Sequence, residues 1–218
     1  MRSAFLALPV LAVSLAAAAP AQAASVGASV STNGVGIDAG VSVTPFFGIR
    51  VDGATLSFDH SFGVDDIDYD ADVQLKSLGG IVDFYPFPLV GFRVSAGARL
   101  NWNEADVTAS PNGPRQIGGR TYTPAQIGSL EGNVEFDRLA PYAGIGWTSG
   151  FFGTGLQFIG DLGVLYQGSP KVSLRATGGL AADPVFAADL ERERQELEDD
   201  VEDFKWYPVI KIGVMYKF

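Results

Sequence analysis

Cysteine is absent from the 218 residues, and histidine occurs once, at His60. Without thiols the chain forms no disulfides and no thiolate metal site. A single imidazole leaves no ordinary nitrogen ligand set either. Long apolar runs are scarce as well. Beyond the first 19 residues, no segment approaches the roughly 20 apolar residues of a membrane-crossing helix. If this chain enters a membrane, it does so as strands. Positive charge is also in short supply, with 15 lysines and arginines against 25 aspartates and glutamates, a net charge of −10. That balance argues against nucleic acid as a partner, because phosphate binding needs a basic surface.

What is present begins with an export signature. Arg2 precedes an apolar run from Ala4 to Ala19, broken by Pro9 and Ser14, and small residues follow at Ala21-Gln22-Ala23. This reads as a secretory signal peptide over residues 1–23, leaving 24–218 as one mature domain.

Catalytic sets do not assemble. His60 has Ser61 and Asp59 beside it, but adjacent residues of an extended strand point to opposite faces, so Ser61 and His60 are badly placed to share a proton. The cluster Asp65, Asp66, Asp68, Asp70 and Asp72 lacks the ordered spacing and glycine of a calcium loop. Neither an enzyme nor a cofactor or metal site is expected.

The informative signal is a period of two. From Trp206 to Phe218, Trp206, Pro208, Ile210, Ile212, Val214, Tyr216 and Phe218 share one face, with Lys205, Lys211, Gly213 and Lys217 on the other. Such a strand faces two solvents, hydrocarbon outside and a polar lumen inside. The pattern recurs at 25–31, 35–44, 46–59, 71–86, 91–107, 133–148 and 154–177, predicting an all-β, eight-stranded antiparallel transmembrane barrel. The parity is expected to hold unbroken from Leu156 to Ala176. It slips near Leu56 and Leu75, which reads as bulges where strands leave the membrane. Asn33-Gly34 is a two-residue hairpin signal. Short turns lie at Thr44-Pro45, Pro86 to Pro88 and Ser149 to Gly153; long loops are expected at about 60–70, 108–132 and 178–203. An even strand count with this asymmetry places both termini in the periplasm. Aromatic residues gather near strand ends: Phe46, Phe47, Phe84, Tyr85, Phe87, Phe92, Trp147, Phe151, Phe152, Tyr216 and Phe218 at one rim, and Trp102, Tyr166 and Trp206 at the other.

Parity assigns ten charges to the lumen: Asp38, Arg50, Asp52, Asp83, Arg93, Arg99, Arg138, Asp161, Lys205 and Lys211. Eight strands enclose a space that side chains can fill, so a salt-bridged plug and a narrow conduit are both open readings. Inward glycines at 36, 40, 79, 97, 144, 146, 163 and 213 leave room for water and lean toward a conduit. The last loop should contain a short helix capped by Asp183 with Pro184 first, its apolar face formed by Phe186, Leu190, Leu197 and Val201. Its acids, Asp189, Glu191, Glu193, Glu196, Glu198, Asp199, Asp200, Glu202 and Asp203, would concentrate cations at the outer mouth or keep the loop soluble.

Leu139 to Trp147 (LAPYAGIGW), Tyr166 to Val172 (YQGSPKV), Phe204 to Val209 (FKWYPV) and Gly119-Arg120-Thr121-Tyr122 together resemble the CarO-type outer-membrane proteins over about residues 45–218. That family consists of small barrels described as ornithine-uptake or carbapenem-resistance-associated porins. The resemblance implies an outer-membrane barrel and passage of basic amino acids. The expected protein is therefore a monomeric porin-like barrel of the bacterial outer membrane, in contact with lipid and lipopolysaccharide and admitting small cationic solutes. The alternative is a closed structural or adhesive barrel that works through its loops.

Overall fold

The computed structural model describes residues 23–64, 67–149 and 154–218. The expected signal peptide lies outside these, as do Asp65, Asp66, Phe151 and Phe152. Among the described residues no helix is long and apolar enough to cross a membrane.

Eight strands close a ring: β1 (Ala24–Ser31), β2 (Gly34–Ser42), β3 (Phe47–Val64), β4 (Ile67–Phe87), β5 (Phe92–Asn101), β10 (Leu139–Thr148), β11 (Gly155–Tyr166) and β13 (Trp206–Lys217). Each pairs antiparallel with the next, and β13 returns to β1 to leave no free edge. Around the ring each strand is thereby paired on both sides, as hydrocarbon demands. The outward faces are apolar and open: Ile37, Ile49, Val82, Leu100, Ile145, Phe158 and Ile212 are each at least two-fifths exposed. They pack against no second layer, so lipid is the environment that suits them. This is an eight-stranded transmembrane β-barrel.

Both rims carry exposed aromatics. Phe46, Phe47, Phe84, Phe87, Trp147, Tyr216 and Phe218 lie at the short-turn end, and Trp102, Tyr166 and Trp206 at the other. Tyr85 departs from the expectation. Its parity turns it into the lumen, where it is 8 % exposed.

Three crossings continue past the barrel after short breaks, as β6 (Glu104–Pro111), β9 (Leu130–Glu135) and β12 (Lys171–Ala176). With the distal halves of β3 and β4 they form a tall wall in the order β12-β9-β6-β4-β3. The expected loop at about 60–70 is therefore mostly strand, with β3 and β4 paired from Phe47/Phe84 to Val64/Ile67.

No bulge occurs at Leu56 or Leu75, which pair directly in an unbroken register. The pattern inverts because the surroundings do. Inside the membrane the outer solvent is lipid and the apolar parity points out. Above it the outer solvent is water, so Ser57, Asp59, Asp70 and Asp72 point out while Leu56, Phe58, Val73 and Leu75 turn inward. The same inversion separates β5 from β6, and β10 from β9, again without a change of register. At β12 it is achieved differently. The Gln167–Pro170 break shifts the pairing by one residue, so Val172, Leu174 and Ala176 join the inner face of the wall, and one parity does not persist from Leu156 to Ala176.

Between β6 and β9 lie the hairpin strands β7 (Arg115–Ile117) and β8 (Arg120–Tyr122) and the short helix α1 (Pro124–Ile127). The last long loop carries α2 (Pro184–Asp200) and a 3-10 turn, Glu202–Lys205. Asp183 caps α2 as expected, its side chain accepting from the amides of Val185 and Phe186. The β1–β2 turn is Thr32-Asn33, one residue earlier than Asn33-Gly34 suggested, and Gly34 opens β2 at φ 109°. A side chain there would strike the Thr55 carbonyl.

Candidate functional site

Eight charged side chains meet inside the barrel. Four are cationic (Arg50, Arg93, Arg99, Lys211) and four anionic (Asp38, Asp52, Asp83, Asp161), and none is more than 5 % exposed. Arg50 reaches Asp161 at 2.8 Å and Asp83 at 3.2 Å. Arg93 donates to Asp161 at 2.6 Å and to the Thr148 hydroxyl. Lys211 bridges Asp38, at 2.7 Å, and Asp52, which also receives Arg99. Hydroxyls complete the shells, with Ser29 donating to Asp38 and Ser95 to Asp83, each at 2.5 Å, and Ser77 accepting from Arg99 at 3.0 Å. Burial of this many charges is tolerated because each has an opposite partner and hydrogen bonds besides.

Against this network lies a layer that inward parity would reserve for polar residues. Ile81, Ala140, Tyr142, Leu165 and Val209 pack together in the lumen, with Tyr207 alongside. Arg99 stacks over the Tyr142 ring at 5.6 Å, joining the apolar layer to the charges. Toward the long-loop end come the amides of Asn101, Asn103 and Gln167, the last donating to the Phe204 carbonyl at 3.0 Å. Sequence reasoning passed over the apolar layer, although its signal was visible as Leu165 and Val209 on the polar parity of two strands.

The inward glycines make room for neighbours rather than for water. A methyl at Gly146 would meet Asp161 and Arg93, one at Gly79 would meet Asp52 and Arg99, and one at Gly144 or Gly163 would meet Tyr142. A pocket of about 40 Å³ lies at the short-turn end beneath Arg50 and Arg93, lined by Ser25, Ser42, Tyr85 and Thr148. It would hold a few waters, against roughly 300 Å³ or more for a typical ligand pocket.

Two of the ten expected lumen charges lie elsewhere. Arg138 sits at the bend before β10 and is exposed, because the strand has already left the barrel there. Lys205 belongs to the 3-10 turn above the barrel and pairs with Glu202 at 2.7 Å.

The long-loop end holds a second packed unit. Ile117, Tyr122, Ile127 and Phe186 form its core, flanked by Leu130, Ala176, Leu180 and Leu190. Tyr122 meets Phe186 edge-on at 4.8 Å. The backbone of Gly178 to Leu180 hydrogen-bonds α1, and Gly178 and Gly128 touch so closely that neither could carry a side chain. Leu130 and Ala176 lie on the inner face of the wall, so this platform sits on the side continuous with the lumen.

Asp189 is the keystone of that platform, not part of an exposed acidic face. It is fully buried and binds the Tyr122 hydroxyl and Arg192, with Arg120 at 3.6 Å. The bond to Asp189 raises the pKa of Tyr122. Glu193 accepts from the Gly118 amide at 2.9 Å. Glu191 and Glu198 clamp Arg194, whose guanidinium, with Gln195, holds the Glu191 carboxyl down at about 2. Glu196, Asp199, Asp200 and Asp203 are exposed, as expected.

The chain matches no family model and no curated protein. Solved structures are similar, however. Acinetobacter baumannii CarO2 superposes over 90 % of this chain and 98 % of its own, with a TM-score of 0.63 at 24 % identity. CarO of the same organism covers 89 % and 97 %, with a TM-score of 0.58 at 22 % identity. The barrel fold is theirs. At this level of identity the likeness carries architecture, in agreement with the family resemblance read from the sequence.

Proposed function

We propose that this chain is a closed barrel of the bacterial outer membrane that anchors its long-loop platform at the cell surface. The observation that carries this reading is the complete internal pairing of four cations with four carboxylates in the lumen, each side chain at most 5 % exposed. A passage would require those pairs to part and the Ile81–Tyr142–Leu165–Val209 layer to open. The short-turn end faces the periplasm with both termini, the protein acts as a monomer exported by its signal peptide, and the platform meets lipopolysaccharide or a partner protein.

CarO-type resemblance favours a second reading, slow diffusion of small cationic solutes such as basic amino acids. Conductance in planar bilayers separates the two. The closed barrel gives no steps above background, and Asp161→Asn or Lys211→Met leaves that baseline flat. Steady cation-selective steps in the wild type, altered by either substitution, would replace the closed reading with the porin-like one.

A further inference from the structure

The lipid-facing wall is not uniformly ridged. Along the outward parity of β11, Leu156, Phe158, Leu162 and Val164 project large side chains, and Gly160 interrupts them. Across the sheet Gly160 pairs with Trp147 on one side and Ile212 on the other, and one row above it stand Ile145, Leu162 and Ile210. The missing side chain leaves a groove of about 350 Å³ with almost wholly apolar walls. A methyl built on Gly160 has no neighbour closer than the Lys211 carbonyl at 4.0 Å, so nothing in the protein fills the dent.

We propose that this groove holds one acyl chain of a membrane phospholipid. It continues the lipid-facing surface without a polar break, so hydrocarbon is the medium at its mouth. It also runs along the chain direction of a lipid, from Phe92 and Trp147 at the short-turn rim toward Leu162 and Ile210, deeper in the membrane. The indole Nε1 of Trp147 donates to the Val90 carbonyl at 2.9 Å, which ties the ring to the turn and holds the entrance open in the headgroup layer. A lipid with its headgroup there sends its chain past Trp147 into the gap above Gly160. In the orientation proposed above, this lipid belongs to the periplasmic leaflet.

The test uses the whole mature barrel in nanodiscs of dioleoylphosphatidylethanolamine, released into a mass spectrometer with bound lipid retained. Wild type and Gly160→Ala keep one lipid; Gly160→Leu and Leu162→Trp, which fill the groove from its floor and from its upper wall, lose it. Both substituted positions, Gly160 and Leu162, face lipid, so folding is unaffected, and compact migration on unheated gels checks this. Two results overturn the proposal: no retained lipid in the wild type, or equal retention in either folded groove-filling variant. A third is efficient disulfide pairing between barrels through Ile212→Cys, clean in a chain without cysteine, because a second copy would then occupy the groove.

Discussion

At the scale of single residues, the lumen is an ion-pair lattice in which every member has two or more duties. Asp161 is the clearest case, since it neutralises both Arg50 and Arg93. Replacing it with asparagine leaves Arg93 and Arg50 to share Asp83, with Asp38 reaching Arg50 only at 4.0 Å. Breaking a buried pair in this way costs about 3–5 kcal/mol. Urea unfolding of Asp161→Asn, followed by tryptophan fluorescence, should show a loss of that order. Asp72→Asn, on the water-facing side of the wall, should stay within about 0.5 kcal/mol of wild type. A cost at Asp161 below about 1 kcal/mol would mean that water, not arginine partners, solvates the lumen. The charges themselves were legible from parity, eight of ten correctly placed. Their pairing was not, because it depends on how far each strand is staggered around the ring.

Among the elements, α2 shows most plainly what a one-dimensional reading catches and misses. Its cap, first proline and anchoring Phe186 follow from local chemistry and were readable. The burial of Asp189 was not, because the partners that justify it, Tyr122 and Arg120, come from a hairpin some 70 residues earlier. The exposed part of the helix is held by the Arg194 clamp. With the folded-state pKa of Glu191 depressed from 4.5 to about 2, the clamp is intact above the ordinary carboxylate range and is lost as pH falls through the depressed value. The helical circular-dichroism signal should therefore decline between about pH 4.5 and pH 2 while the sheet signal persists. Glu191→Gln should remove that step. The apparent parity slips in β3 and β4 teach a related lesson: an inverted hydrophobic pattern with unchanged register marks the level where lipid gives way to water.

For the whole molecule, a lipid-belted barrel with a shut interior carries a wall and platform on one side only. The wall's outer face is polar, and the platform packs on its inner face at Leu130 and Ala176, so the two ends of the barrel present very different surfaces to the medium. Single cysteines in the cysteine-free chain test the orientation. On intact cells a membrane-impermeant maleimide should label Asp106→Cys, on the outside of the wall, and spare Ser42→Cys, at the short-turn end. The reverse pattern would turn the protein over in the membrane.

The number of strands, their antiparallel order and their lipid-facing sides were determined by the sequence alone, because two solvents as unlike as hydrocarbon and water select side chains at every second position. How the interior is filled was decided only by tertiary structure. Closure brings Arg50 beside Asp161 and Tyr142 over Gly163 across long stretches of chain, and the space those side chains leave depends on their mutual packing rather than on any one strand.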